Sequence, residues 1–134
     1  MSLDRFLQAQ ETHGSYERAL AELKAGQKSS HWMWWIFPQG PREGTSETSK
    51  LYALMEDEAR EYLRHPVLGM RYRECVGVVH GQLCQNGVAP LTLMGAEVAV
   101  KKLRSSLKLF LGVIETPEET FRVQADEILQ VLRI

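Results

Sequence analysis

His31-Trp32-Met33-Trp34-Trp35-Ile36-Phe37-Pro38-Gln39 is the stretch on which the reading of this chain turns, and it holds all three of the tryptophans. A surface helix carries its apolar residues on one stripe. This run is apolar on every side from Trp32 to Phe37, so it is either fully buried or lines a pocket. It is short, and Pro38 ends it. Aromatic side chains bury about 150–250 Å² each, so such a segment dominates a small core. A buried indole N–H also needs an acceptor. His31 and Gln39 hold polar groups against the two ends of the cluster, and aromatic faces with a few convergent polar groups are how flat ligands are bound. Two readings follow: a core helix alone, or a core helix that also walls a ligand pocket.

Outward from this segment the dominant period is helical. Leu3, Phe6 and Leu7 begin a first helix with Ser2 as its N-cap. Tyr16, Ala19, Leu20 and Leu23 mark a second, which ends near Ala25 with Gly26 at the C′ position. His13-Gly14 separates the two. Gly40-Pro41-Arg42-Glu43-Gly44-Thr45-Ser46 is the clearest loop. Thr45 or Ser46 caps the next helical stretch, which carries Leu51, Tyr52, Met55, Ala59, Tyr62 and Leu63, with a break possible near Met55-Glu56. His65-Pro66 closes it. Leu68, Tyr72, Cys75, Val76, Val79 and Leu83 form a long stripe that Asn86-Gly87 stops, and Pro90 falls in the following loop. Gly69, Gly77 and Gly81 in or near this stripe suggest close helix packing. Ala96, Val100, Leu103, Leu107, Phe110 and Leu111 mark another helix. Thr116-Pro117-Glu118-Glu119 reads as a capping box before a last one with Phe121, Ala125, Ile128, Leu129 and Leu132. No strand pair, repeat or low-complexity tract is present. The expected fold is all-α: one compact domain over residues 1–134, with six to seven helices.

The bulk numbers agree. A chain of 134 residues with 44% hydrophobic and 25% charged residues fits one globular domain with an adequate core. A net charge of −1 gives no footprint for nucleic acid. No signal-like segment opens the chain and no apolar run is long enough for a membrane span, so a cytoplasmic protein without membrane attachment is expected. Cys75 and Cys84 would lie on opposite faces of one helix, about 13 Å apart along its axis, and cannot bridge.

The string Ser30-His31-Trp32-Met33-Trp34-Trp35-Ile36-Phe37-Pro38-Gln39 is specific. With Glu58-Ala59, Tyr62-Leu63 and His65-Pro66-Val67-Leu68-Gly69-Met70-Arg71, it resembles a bacterial family of uncharacterised proteins, domain-of-unknown-function family 1810, sometimes labelled calpastatin. Phe6-Leu7-Gln8-Ala9-Gln10, Lys102-Leu103-Arg104-Ser105-Ser106 and Leu109-Phe110 extend the resemblance over most of residues 1–111. It implies a mainly helical fold and no particular reaction. The chain departs from the family pattern at residues 40–46 and again at 93–101, where only Glu97 is acidic.

Two constellations bear on chemistry. Glu58, Glu61 and His65 stand at i, i+3 and i+7, close to one helical face. A carboxylate beside an imidazole suits acid–base work, but the same residues also suit helix capping, and no second Glu-x-x-His completes a metal site. Lys101, Lys102, Arg104 and Lys108 with Ser105 and Ser106 form a face that suits either phosphate or plain solvation. The chain has no Walker-type or dinucleotide glycine fingerprint. The expected function is binding or hydrolysis of a nucleotide or ADP-ribose-type molecule in a tryptophan-lined pocket. His31, Trp34, Trp35, Gln39, Tyr52, Lys102, Arg104 and Ser105 would hold the ligand, and Glu58 and His65 would supply acid–base chemistry. No cofactor or metal is called for. The alternative is a non-enzymatic protein-interaction module in which the tryptophans are core. Convergence of His31, Gln39, Glu58 and Arg104 on one cavity would discriminate the two.

Overall fold

The computed structural model describes residues 3–41, 46–115 and 119–133. Among these it is all-helical: α1 (Asp4–Glu11), α2 (Ser15–Lys24), α3 (Met33–Ile36), α4 (Glu47–Leu51), α5 (Glu56–Arg64), α6 (Leu68–His80), α7 (Pro90–Met94), α8 (Glu97–Leu111) and α9 (Thr120–Val131). Six of these run eight residues or more, and α3, α4 and α7 are single turns. Pro90, placed by its residue type in a loop, instead opens α7 at the first helical position, where its missing N–H costs nothing. The break near Met55-Glu56 is real: Tyr52–Met55 separates α4 from α5. The Ser2 and Thr45 caps and residues 116–118 of the expected capping box lie outside the described residues; the last residue of that box, Glu119, is extended and is itself the N-cap of α9, without a side-chain cap bond, so the helix opens at Thr120.

The ends of the early helices follow from local chemistry. A 3-10 turn over Thr12–Gly14 joins α1 to α2, with His13 at φ +54° and Gly14 at φ +63°. Two successive left-handed residues turn the chain sharply, and the glycine supplies one of them without steric penalty. Gly26 ends α2 at φ +84°. The carbonyls of Leu23 and Lys24 there accept from Gln82 Nε2 at 2.9 Å each, which ties α2 to the turn that extends α6.

Helix α6 is the centre of the array and packs against α2, α5 and α9. Tyr72 sits at the middle of its buried face. Its ring lies 4.3 Å from Phe110 of α8, 5.6 Å from Phe121 of α9, 5.9 Å from Phe37 and 6.3 Å from Tyr62 of α5, centroid to centroid. One side chain therefore joins four separate stretches of chain. Each such pair adds about 0.5–1.5 kcal/mol beyond area burial. The Tyr72 hydroxyl is not orphaned, because it meets Ser106 Oγ at 3.0 Å. Gly69 explains how α6 comes so near α5. A Cβ there would stand 2.2 Å from the Leu63 carbonyl oxygen, which also accepts from Arg73 Nη1 at 2.9 Å.

Candidate functional site

The aromatic segment is both core and wall. Trp32, Met33, Ile36 and Phe37 are buried, while Trp34 and Trp35 are half-buried. Two indoles find acceptors inside the protein. Trp32 Nε1 donates to Glu22 Oε1 at 2.9 Å, and Trp35 Nε1 donates to Ser15 Oγ at 2.7 Å. Trp34 is placed differently, with the Lys102 ammonium 4.1 Å from its ring centre. Residues 28–35 and the start of α8 enclose a groove of about 570 Å³. Its edges include Lys28, Ser29, Ser30, His31, Thr48, Met94, Val98 and Lys102.

The groove is built by an acidic residue behind it. Glu22 on α2 receives Ser29 N–H at 2.7 Å, Ser30 N–H at 3.0 Å, Ser30 Oγ–H at 2.5 Å and the Trp32 indole. Partial burial opposes its ionisation, but these donors together outweigh it and bring its pKa to about 2. From there the chain is pinned across to α7 by Lys28 N–H on the Leu93 carbonyl at 2.8 Å. Gly95 sits at φ +84° under this crossing, and a Cβ would come 3.2 Å from the Lys28 carbonyl oxygen. The left-handed φ favours glycine there, and a side chain would also press on that carbonyl by a few tenths of an ångström.

Two cations share the groove. Lys28 Nζ donates to the Ser30 carbonyl at 2.6 Å and lies 5.1 Å over the Trp32 ring. Desolvation pulls its pKa down, Glu22 partly restores it, and the charge of Lys102 depresses it further. Desolvation also lowers Lys102. Neither lysine is in an ion pair among the described residues. Ala96, the N-cap of α8, offers its helix no side-chain acceptor, and it too edges the groove. Unpaired ammonium groups and an uncapped helix start both favour an anion.

The residues expected to form a site separate into three groups. His31, Trp34, Trp35 and Lys102 come together at the groove. Tyr52 and Gln39 stand behind it. Tyr52 packs on Trp35 at 5.4 Å and on Phe6 at 5.5 Å. Gln39 is buried, and its Nε2 donates to the carbonyls of Phe37 at 2.9 Å and Lys102 at 2.7 Å, so it clamps α8 to the end of the aromatic run. The other expected residues lie elsewhere. Glu58 accepts from Met55 N–H at 3.1 Å and from Arg5 Nη2 at 3.4 Å, which makes it the cap of α5. His65 Nδ1 accepts from the N–H groups of Val67 at 3.1 Å and Leu68 at 3.2 Å, and so caps α6. Arg104 donates to the Leu132 carbonyl at 2.7 Å and faces a second groove, between α8 and α9, with Lys108, Asp126 and Arg133. Ser105 is half-buried and edges neither groove.

The split of the basic face has a geometric reason. Lys102 and Arg104 are two residues apart, about 200° around a helix, and cannot serve one ligand. Conversely, Lys28, Glu22, Thr48 and Met94 escape sequence reasoning. Lys28 stands two residues before the signature string, which was the available hint. Glu22 lies on another helix, and no periodicity ties it to Trp32. Among the described residues no three His, Cys, Asp or Glu side chains gather as metal ligands would. Both cysteines are unbridged, and burial pushes the Cys75 thiol up to about 12, which leaves it inert. No helix among the described residues is long and apolar enough to cross a membrane.

Comparison with known proteins agrees with this architecture. No curated protein matches the chain. The crystal structure of the conserved hypothetical protein Rv1873 from Mycobacterium tuberculosis is similar, with 33% identity and a TM-score of 0.72 over 97% of this chain and 81% of that one. The family described as protein of unknown function, DUF1810, matches residues 1–130, and the chain belongs to it.

Proposed function

We propose that the protein binds a small, flat, anionic ligand of the nucleotide class in the groove between residues 28–35 and the start of α8. The observation that carries this is the pair Lys28 and Lys102: both ammonium groups are partly desolvated beside indole rings, and neither has a carboxylate in an ion pair among the described residues. Each lysine has an indole face and Lys28 also the Ser30 carbonyl, but two partly desolvated neighbouring cations still repel, and an anionic ligand between them relieves both. Trp34, Met94 and Val98 supply the apolar wall for a ring. Binding needs neither Glu58 nor His65, whose hydrogen bonds commit them to helix ends, so the geometry favours binding over hydrolysis.

A thermal-shift series with AMP, ADP and ADP-ribose tests this reading. Ligand at a hundredfold its Kd stabilises by about 2.7 kcal/mol, which raises the melting temperature by roughly 5–10 °C for a domain of this size. Lys102→Met and Trp34→Leu should abolish the rise. No rise with any ligand, or a full rise in both variants, defeats the proposal. The first outcome would leave the protein-interaction alternative in its place.

A further inference from the structure

Resting on that reading, we propose that the groove selects a phosphate monoester dianion, held by Lys28 and Lys102 together, so that its ligand is a 5′-mononucleotide rather than a pyrophosphate diester such as ADP-ribose. The argument is one of charge matching. Two ammonium groups share the groove and interact: Lys102 is close enough to act on the charge of Lys28. The facing titratable groups are few. Glu22 lies behind Lys28, but its oxygens are taken up by Ser29, Ser30 and Trp32, and it forms no ion pair with the lysine. His31 is the other titratable side chain at the edge. The groove therefore presents two ammonium groups to a ligand, and the one carboxylate that partly offsets Lys28 is held behind it by its own donors.

A monoester offers about two negative charges on one compact group, with three oxygens free to accept from both ammonium groups at once. A diester or an internal pyrophosphate spreads single charges over separate phosphorus atoms, each with two free oxygens. In a partly desolvated groove the second charge on one group counts for far more than in water. The apolar wall of Trp34, Met94 and Val98 then takes the base.

Isothermal titration calorimetry with AMP, its 5′-methyl ester, ADP-ribose, ribose 5-phosphate and adenosine separates the possibilities. The methyl ester keeps the ring and the phosphorus but loses one charge. AMP should bind at least about fivefold more tightly than the ester at pH 8. The gap should close at pH 5, where most of the monoester has taken up one proton and carries a single charge like the ester, since its second pKa is about 6. At pH 5 both ligands carry a single charge, so a charge on His31 acts on them alike. In Lys102→Met, or in Lys102→Gln should the first variant prove unfolded by circular dichroism, the gap should shrink below twofold. A smaller gap between AMP and the ester in the parent protein at pH 8, or equal binding of ADP-ribose and AMP, overturns the monoester assignment and leaves nucleotide binding standing. Ribose 5-phosphate binding as tightly as AMP overturns the mononucleotide. Binding by none of the five overturns this inference together with the reading beneath it.

Discussion

Replacing Glu22 by glutamine tests the construction of the groove while leaving Lys28, Lys102 and Trp34 themselves unchanged. The carboxylate accepts from two backbone N–H groups, a hydroxyl and an indole. Its pKa falls from 4.5 to about 2 on folding because these donors outweigh the desolvation that opposes them. At about 1.36 kcal/mol per pH unit this separation is worth about 3 kcal/mol at face value. Glu22 is partly exposed, and solvent screening reduces the figure to about 1–2 kcal/mol. The glutamine keeps one acceptor but turns an NH2 toward groups that are themselves donors. Glu22→Gln should therefore lower the urea-unfolding free energy by about 1–2 kcal/mol at pH 7. The sign of the pH dependence is fixed by linkage. A carboxylate with a depressed folded pKa binds fewer protons folded than unfolded between the two values, so its contribution is complete above about pH 5 and fades as pH falls toward 2. More than half of the difference between parent and variant should be gone by about pH 3. A difference that stays constant from pH 7 to pH 3, or one below about 0.5 kcal/mol at pH 7, refutes the assignment of Glu22 as the anchor of residues 29–32.

Other substitutions probe the remaining joints. Gly69→Ala sets a methyl 2.2 Å from a backbone oxygen that cannot move without α5, so a loss of about 2–3 kcal/mol is expected in denaturant unfolding. His65→Ala orphans the N–H groups of Val67 and Leu68 and should cost about 1 kcal/mol in the same assay, while ligand-induced thermal shifts stay as in the parent. Glu58→Gln should likewise leave ligand affinity within twofold by calorimetry, since Glu58 serves the start of α5; a tenfold loss would restore it as a site residue. Trp35→Phe removes the indole bond to Ser15 and should destabilise by about 1 kcal/mol, read by urea titration followed by circular dichroism.

The contrast between Lys102 and Gln39 shows where sequence reasoning stops. Helical period alone places α1, α2, α5, α6, α8 and α9, because amphipathic stripes and their caps are local properties. Gly26 and Gly87 sit where a left-handed residue must end a helix, at φ +84° and +69°. The aromatic run is identifiable as the central feature, because no surface helix is apolar all round. What it does with its polar ends is not local. His31 reaches the groove, whereas Gln39 turns inward to the carbonyls of Phe37 and Lys102. Glu58 and His65 look like an acid–base pair by spacing, yet each is consumed by a helix end. Lys102 and Arg104 look like one phosphate face by composition, yet two helical steps send them to different grooves. The partner of Trp32 lies ten residues away on α2, and the backbone N–H of Lys28 is held by Leu93 of α7. Such pairings depend on how helices cross, which is decided by the packing around Tyr72 and the close approach at Gly69. The sequence by itself therefore determined the helices and the aromatic wall. Only the tertiary structure decided which cations that wall keeps, because a groove is made by side chains whose neighbours are far apart in the chain.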